Sequence, residues 1–321
     1  MKNIQQARRV GTCSVLCALL LRLWAGGGAQ WIMSRITPFL SNKAPIEEET
    51  GQTVRFSPSL EIYTPDFVES PRPFFPSDPL PVFTGEEPVE IQSFTGKEPD
   101  IPNLISQPLN WDLRGEEPTV LILHTHTTES YTQAGERYVE SSAWRTLDSD
   151  HNMLSIGQRV GQVLSQNGIT VIQDLQFHDY PSYNGSYSHA RRAIENWLEK
   201  YPSIQLVLDL HRDASGTETA QMRTLCYVND QKSAQLMVVL GANQENYEAN
   251  LSLGLKLHAQ LERQTPGITR PLQLRASRFN QDLHPAALLI EVGAAGNTQA
   301  EALTAAEELA RAIIALARGT R

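Results

Sequence analysis

Beyond residue 118 the chain alternates between short apolar runs and segments with helical spacing. Residues 119–124 (T-V-L-I-L-H), 170–173, 204–210, 236–240 and 287–290 read as strands, with a further apparent strand over 222–228. Residues 154–166, 189–200 and 245–263 carry apolar positions at helical spacing. The first of these ends at Asn167-Gly168 and the last runs to Pro266, both ordinary helix stops. Thr298 and Glu301 form a capping box that opens a final helix to about Ala317. Strands without polar alternation, interleaved with helices, predict a sheet buried on both faces. The expectation is an α/β fold over residues 116–321: a single three-layer domain, its mostly parallel sheet covered by helices on both faces. About 200 residues suffice for one core, and no internal repeat is present.

Residues 30–115 differ in kind. Fourteen of the 19 prolines fall between Pro38 and Pro118, and Ser41–Pro118 holds 15 Asp and Glu against five Lys and Arg. This Pro-rich, acidic composition predicts a largely disordered linker. The formal net charge of −9 therefore belongs mostly to the tether. It also argues against nucleic acid as a partner, which would need a basic face.

Lys2, Arg8 and Arg9 precede an apolar run over residues 10–21, then Arg22 and a small-residue stretch to Ala29. That order describes a secretory signal peptide, or a membrane anchor if it is retained. Either reading places the rest of the chain outside the cytoplasm. Cys13 and Cys17 lie inside the apolar run, and Cys226 stands alone downstream. No disulfide within the domain is available, so its core must hold it.

In open α/β sheets ligands bind beyond the carboxyl ends of the strands. Three apolar runs end here in groups suited to metal chemistry: His124-Thr-His126-Thr-Thr-Glu129, Asp209-Leu-His211-Arg212-Asp213, and Glu291-Val-Gly293. His124 and His126 are two apart, so in an extended chain either or both can reach one ion. His211 adds an imidazole from a second strand end. Glu291 follows a run apolar enough to be buried; it needs an arginine such as Arg212 or Arg223, or it serves as a general base beside a metal-bound water.

Five segments in order, H-T-H-T-T-E-S-Y (124–131), R-T-L-D-S-D-H-N-M (145–153), H-D-Y-P-S-Y-N-G-S-Y (178–187), L-D-L-H-R-D (208–213) and L-I-E-V-G-A-A-G-N-T (289–298), resemble the stage II sporulation protein P family. The resemblance covers about residues 119–318. It implies a peptidoglycan hydrolase of endospore formation related to zinc-dependent N-acetylmuramoyl-L-alanine amidases. It also implies endopeptidase activity, septal membrane location, and work alongside stage II sporulation proteins D and M in engulfment.

The same resemblance implies zinc ligands at His126, Asp148 and His211, with Asp150 and His151 close enough to compete for the acidic place, and Glu291 as the catalytic group. His124, Glu129, Arg212, Asp213 and Tyr183 are expected around that centre as substrate-binding or supporting groups. The loop carrying Tyr183 either faces substrate or packs against the sheet edge. Two other functions fit the same residues: a different zinc hydrolase, such as a carboxypeptidase or deacetylase, and a non-catalytic wall-binding scaffold.

Overall fold

A computed structural model describes residues 60–63, 82–109, 111–132, 144–217 and 220–318. The signal or anchor over residues 1–29 and most of the tether lie outside the described residues. Among the described residues twelve strands are formed: β1 (Leu60–Tyr63), β2 (Ile91–Ser93), β3 (Val120–Leu123), β4 (Val171–Asp174), β5 (Leu206–Asp213), β6 (Gly216–Thr217), β7 (Ala220–Gln221), β8 (Cys226–Val228), β9 (Gln231–Ser233), β10 (Leu236–Gly241), β11 (Leu272–Arg275) and β12 (Ala287–Ala294). The α-helices among the described residues are α1 (Ile101–Ser106), α2 (Met153–Ser165), α3 (Ser186–Lys200), α4 (Tyr247–Gln264) and α5 (Gln299–Arg318).

Eight strands make one sheet in the order β1-β4-β3-β5-β12-β10-β11-β2, with two small hairpins, β6-β7 and β8-β9, outside it. Five of its seven pairings are parallel; β1 with β4 and β12 with β10 are antiparallel. The expected α/β class and mostly parallel sheet are what the chain adopts.

Both faces are covered, and strand alternation decides which residue faces which layer. On one face Val120, Ile122, Leu206, Leu208, Leu210, Leu288 and Ile290 pack with α2, α4 and α5. On the other, Leu121, Leu123, Ile172 and Val207 pack against Ala190, Ala193, Ile194 and Trp197 of α3. The helix ends follow local chemistry. Asn152 caps α2, its side chain accepting from the Leu154 N–H at 2.9 Å. At α5 the Thr298 N–H donates to Glu301 Oε2 at 3.1 Å and the Glu301 N–H to Thr298 Oγ1 at 3.3 Å, the reciprocal pair expected of a capping box.

The ordered fold starts earlier than the sequence suggests. β2 extends the sheet alongside β11, and α1 packs on α4. Leu104, Ile105, Trp111 and Leu113 are buried in the main core. A proline-rich segment can pack without regular periodicity when single apolar side chains reach a core that other elements have already formed. No helix among the described residues is long and apolar enough to cross a membrane.

Candidate functional site

The site grows from the carboxyl ends of β3, β5 and β12. β5 and β12 run parallel with His211 and Glu291 as Cα partners. Asp209, His211 and Glu291 occupy odd positions, so they share the sheet face that α3 covers. β3 stops at Leu123 and the chain turns, with the Glu129 N–H donating to the His126 carbonyl at 3.1 Å. This turn brings His126 and Glu129 together. His126 Nδ1 lies 3.4 Å from Glu129 Oε1, and His211 Nδ1 lies 3.5 Å from Glu129 Oε2. The two imidazoles meet edge-on with centroids 5.0 Å apart.

All three side chains are buried, and one donor atom of each lies within 4.8 Å of the others. The separations exceed those of good hydrogen bonds. Nδ1 of each imidazole therefore lies near the same carboxylate without a good hydrogen bond to it. Two His and one Glu with a fourth position left over is a donor set suited to catalytic zinc, so the residues present fit the ion.

The carboxylate of Glu129 is held in place by arginines. The Arg212 N–H donates to Oε2 at 3.2 Å, and its guanidinium donates to the Ser130 and Trp144 carbonyls at 3.0 and 2.9 Å, with Nη1 3.6 Å from Glu129 Oε1. Arg145 reaches Glu129 Oε1 at 3.5 Å and also pairs with Asp179. Asp179 in turn accepts from the Thr128 N–H at 3.2 Å and its hydroxyl at 2.6 Å. Burial alone would push the Glu129 carboxyl up, but Arg212 and the two imidazoles hold it well below the usual range. Burial likewise works against charge on His211, yet Asp209 and Glu129 hold it well above the ordinary imidazole value.

Glu291 is placed differently. Its Oε2 is sealed from solvent and has no hydrogen-bond partner. Burial pushes this carboxyl up to about 8, with His211 drawing it down and Glu129 and Asp213 raising it further. Such a group can hold or release a proton near neutral pH, as a general base or acid must. Over the cluster, the Tyr183 ring lies 4.6 Å from that of His126 and beneath the Arg145 guanidinium at 4.7 Å, while Tyr187 meets His126 edge-on at 5.6 Å.

Residues 81–314 match the family of stage II sporulation protein P. The chain belongs to that family. It is 28% identical over 207 residues to stage II sporulation protein P of Bacillus subtilis strain 168, a match covering 61% of this chain and half of that one. Among solved structures, the CwlD amidase from Clostridioides difficile, in complex with the GerS lipoprotein, aligns over 62% of this chain and 96% of its own at 13% identity and a TM-score of 0.40. The N-acetylmuramoyl-L-alanine amidase AmiC2 of Nostoc punctiforme aligns over 63% and 94% at 14% identity and a TM-score of 0.34. Likeness at that level adds no weight to a reading of this site.

The family motifs supply every residue of the cluster, but not in the grouping the sequence suggests. Asp148 is not brought to the imidazoles. Its side chain is 53% exposed and paired with His151 Nδ1 at 2.8 Å, and it accepts from the Asp150 N–H. The reason is register: Glu129 bridges to Arg145 and Ser130 to Asn152, so residues 148–151 turn outward ahead of α2. The carboxylate that does lie with the two imidazoles is Glu129.

His124 also lies apart from His126. Because β3 ends at Leu123, the two-residue alternation does not carry through the turn, and His124 stays on the α2 side of the sheet. There its Nδ1 is 3.0 Å from the Leu210 carbonyl and its Nε2 is 3.1 Å from Gln173 Nε2. A Cβ on Gly157 of α2 would come within 2.6 Å of that ring, so helix and imidazole are in close contact. Burial brings His124 down to about 4, which keeps it neutral. Asp213 is engaged by Arg270 at 2.8 Å and by the Ser215 hydroxyl at 2.9 Å. Arg212 and Tyr183 do adjoin the cluster. Tyr187, in the same motif as Tyr183, also adjoins it, whereas Arg145 and Asp179 were not singled out from the sequence, although each lies inside a family motif.

Proposed function

We propose that this protein is an extracytoplasmic peptidoglycan hydrolase of endospore formation, an N-acetylmuramoyl-L-alanine amidase using zinc held by His126, Glu129 and His211. The observation that carries this is the convergence of those three side chains beside a carboxylate, Glu291, whose Oε2 has no protein partner. Membership of the sporulation family supports the cell-wall substrate. A zinc ion with three protein ligands polarises a scissile carbonyl and lowers the pKa of water to about 7.

The chain's own groups do the rest. Glu291 accepts a proton from the attacking water and returns it to the amine nitrogen of L-alanine as the lactyl–alanine bond breaks. Water is consumed, and a lactyl carboxylate and a free stem peptide are released. Arg212 and Arg145 hold Glu129 in place, and the exposed Tyr183 ring offers a flat face to a sugar or stem peptide. Endopeptidase cleavage of cross-links, a membrane tie through the N-terminal segment, and action with stage II sporulation proteins D and M belong to the same proposal.

The test is metal content and product identity together. The full chain should carry about one zinc and release free stem peptides from purified walls, read by mass spectrometry. Release of single residues or acetate would assign a different hydrolase, and wall binding without any release would leave a scaffold.

A further inference from the structure

We propose that Asp209 is a positioning residue that fixes both imidazoles of the cluster, an assignment that rests on the metal reading above. Asp209 lies on β5, two residues before His211 and on the same face of the strand. It is buried, and three groups share its carboxylate. Oδ1 lies 3.0 Å from His211 Nε2, an ion-pair approach too far off the N–H axis to be a hydrogen bond, and accepts from the Thr125 N–H at 2.8 Å. Oδ2 accepts from the Thr125 hydroxyl at 2.6 Å.

Two consequences follow from this geometry. The negative charge of Asp209, 3.0 Å from Nε2, favours a proton on that nitrogen and so leaves the Nδ1 lone pair free, and Nδ1 is the atom that faces Glu129. Thr125 immediately precedes His126, so the same carboxylate anchors the backbone from which the second imidazole projects. One buried side chain on β5 thus biases the tautomer of one imidazole by its charge and hydrogen-bonds the backbone from which the other projects. Outer partners of metal-binding histidines typically contribute about 10–100-fold in metal affinity.

Two measurements on the full chain test this, with zinc alone as the probe. In zinc-loaded wild type, nitrogen-15 NMR of His211 should show a protonated Nε2 and a metal-bound Nδ1. Asp209→Asn keeps the shape and an acceptor but loses the charge, and should weaken zinc binding by about 10–100-fold. Coordination through Nε2, or wild-type zinc affinity in Asp209→Asn, overturns the assignment while leaving the metal reading intact. A wild-type chain that binds no zinc overturns the metal reading, and this assignment with it. If the variant fails to fold, the tautomer measurement on the wild type decides.

Discussion

Glu291 and His211 stand opposite one another as Cα partners on the parallel strands β12 and β5, and Glu291 Oε2 has no hydrogen bond of its own. In parallel strands, partnered residues project to the same face. The carboxylate therefore sits beside the imidazole it is expected to work with. Neither arginine named from the sequence as its partner satisfies it: Arg212 is spent on Glu129, Ser130 and Trp144, and Arg223 on Glu301.

Glu291→Gln should therefore separate folding from turnover. Glutamine keeps the size of the side chain but cannot take the proton, so activity should fall by about 10²–10⁴-fold with zinc content and melting temperature preserved. A variant that unfolds early yet turns over normally per folded molecule would make Glu291 a structural group.

The acidic ligand can be settled by comparing two substitutions. Glu129→Gln should lose zinc by more than the roughly 10–100-fold expected for an outer partner, whereas Asp148→Asn should bind zinc as the wild type does. Equal retention in both, measured by competition with a chelator, would remove Glu129 from the metal.

The segment ahead of β3 should prove to be part of the folding unit. Ile105 is fully buried in α1, so Ile105→Ala should destabilise the protein by about 2–5 kcal/mol in urea unfolding. A loss under about 0.5 kcal/mol, the level of a surface change, would mean that residues 82–113 contribute little to the core.

Lys256 gives a pH signature apart from the His126, Glu129 and His211 cluster. Its ammonium is buried between Ser252 and the Leu104 carbonyl, and burial brings its pKa down to about 8, with Glu87 opposing. The unfolded chain, near 10.4, then holds more protons between pH 8 and 10.5. Stability should rise with pH across that window, and the penalty is fully present below 8. Lys256→Met removes the charge while Leu104 keeps the Ser252 hydroxyl at 2.7 Å. It should stabilise the protein at pH 7 by about 1–3 kcal/mol, with the gain shrinking toward pH 10. A Met variant less stable than wild type at pH 7 would show that the ammonium's hydrogen bonds outweigh its desolvation.

The strands that carry the site were legible because each is a pure apolar run ending in polar groups, and two-sided burial leaves that pattern in any sequence. β2 and α1 were not: a three-residue strand and a six-residue helix interrupted by Pro102 have too little length to show a period. At the site, His211 and Glu291 could be placed because they continue their strands. His124, Glu129 and Asp148 could not, because the chain leaves β3 in a turn and returns by bridging residue 129 to 145. Sequence spacing measures position along an extended strand and says nothing of a turn's direction.

Strand β5 has, in effect, a reading frame. Its even residues belong to one core and its odd residues to the other, with Asp209 and His211 in the odd set. One inserted residue between Leu206 and Leu208 would carry Asp209 and His211 to the side where α2 already covers His124, and would turn Leu208 and Leu210 toward His126 and Glu129. Gains and losses of length tolerated in this strand should thus come in pairs, while the turn after Leu123, which has no such frame, is free to vary one residue at a time only where His126 and Glu129 remain three apart.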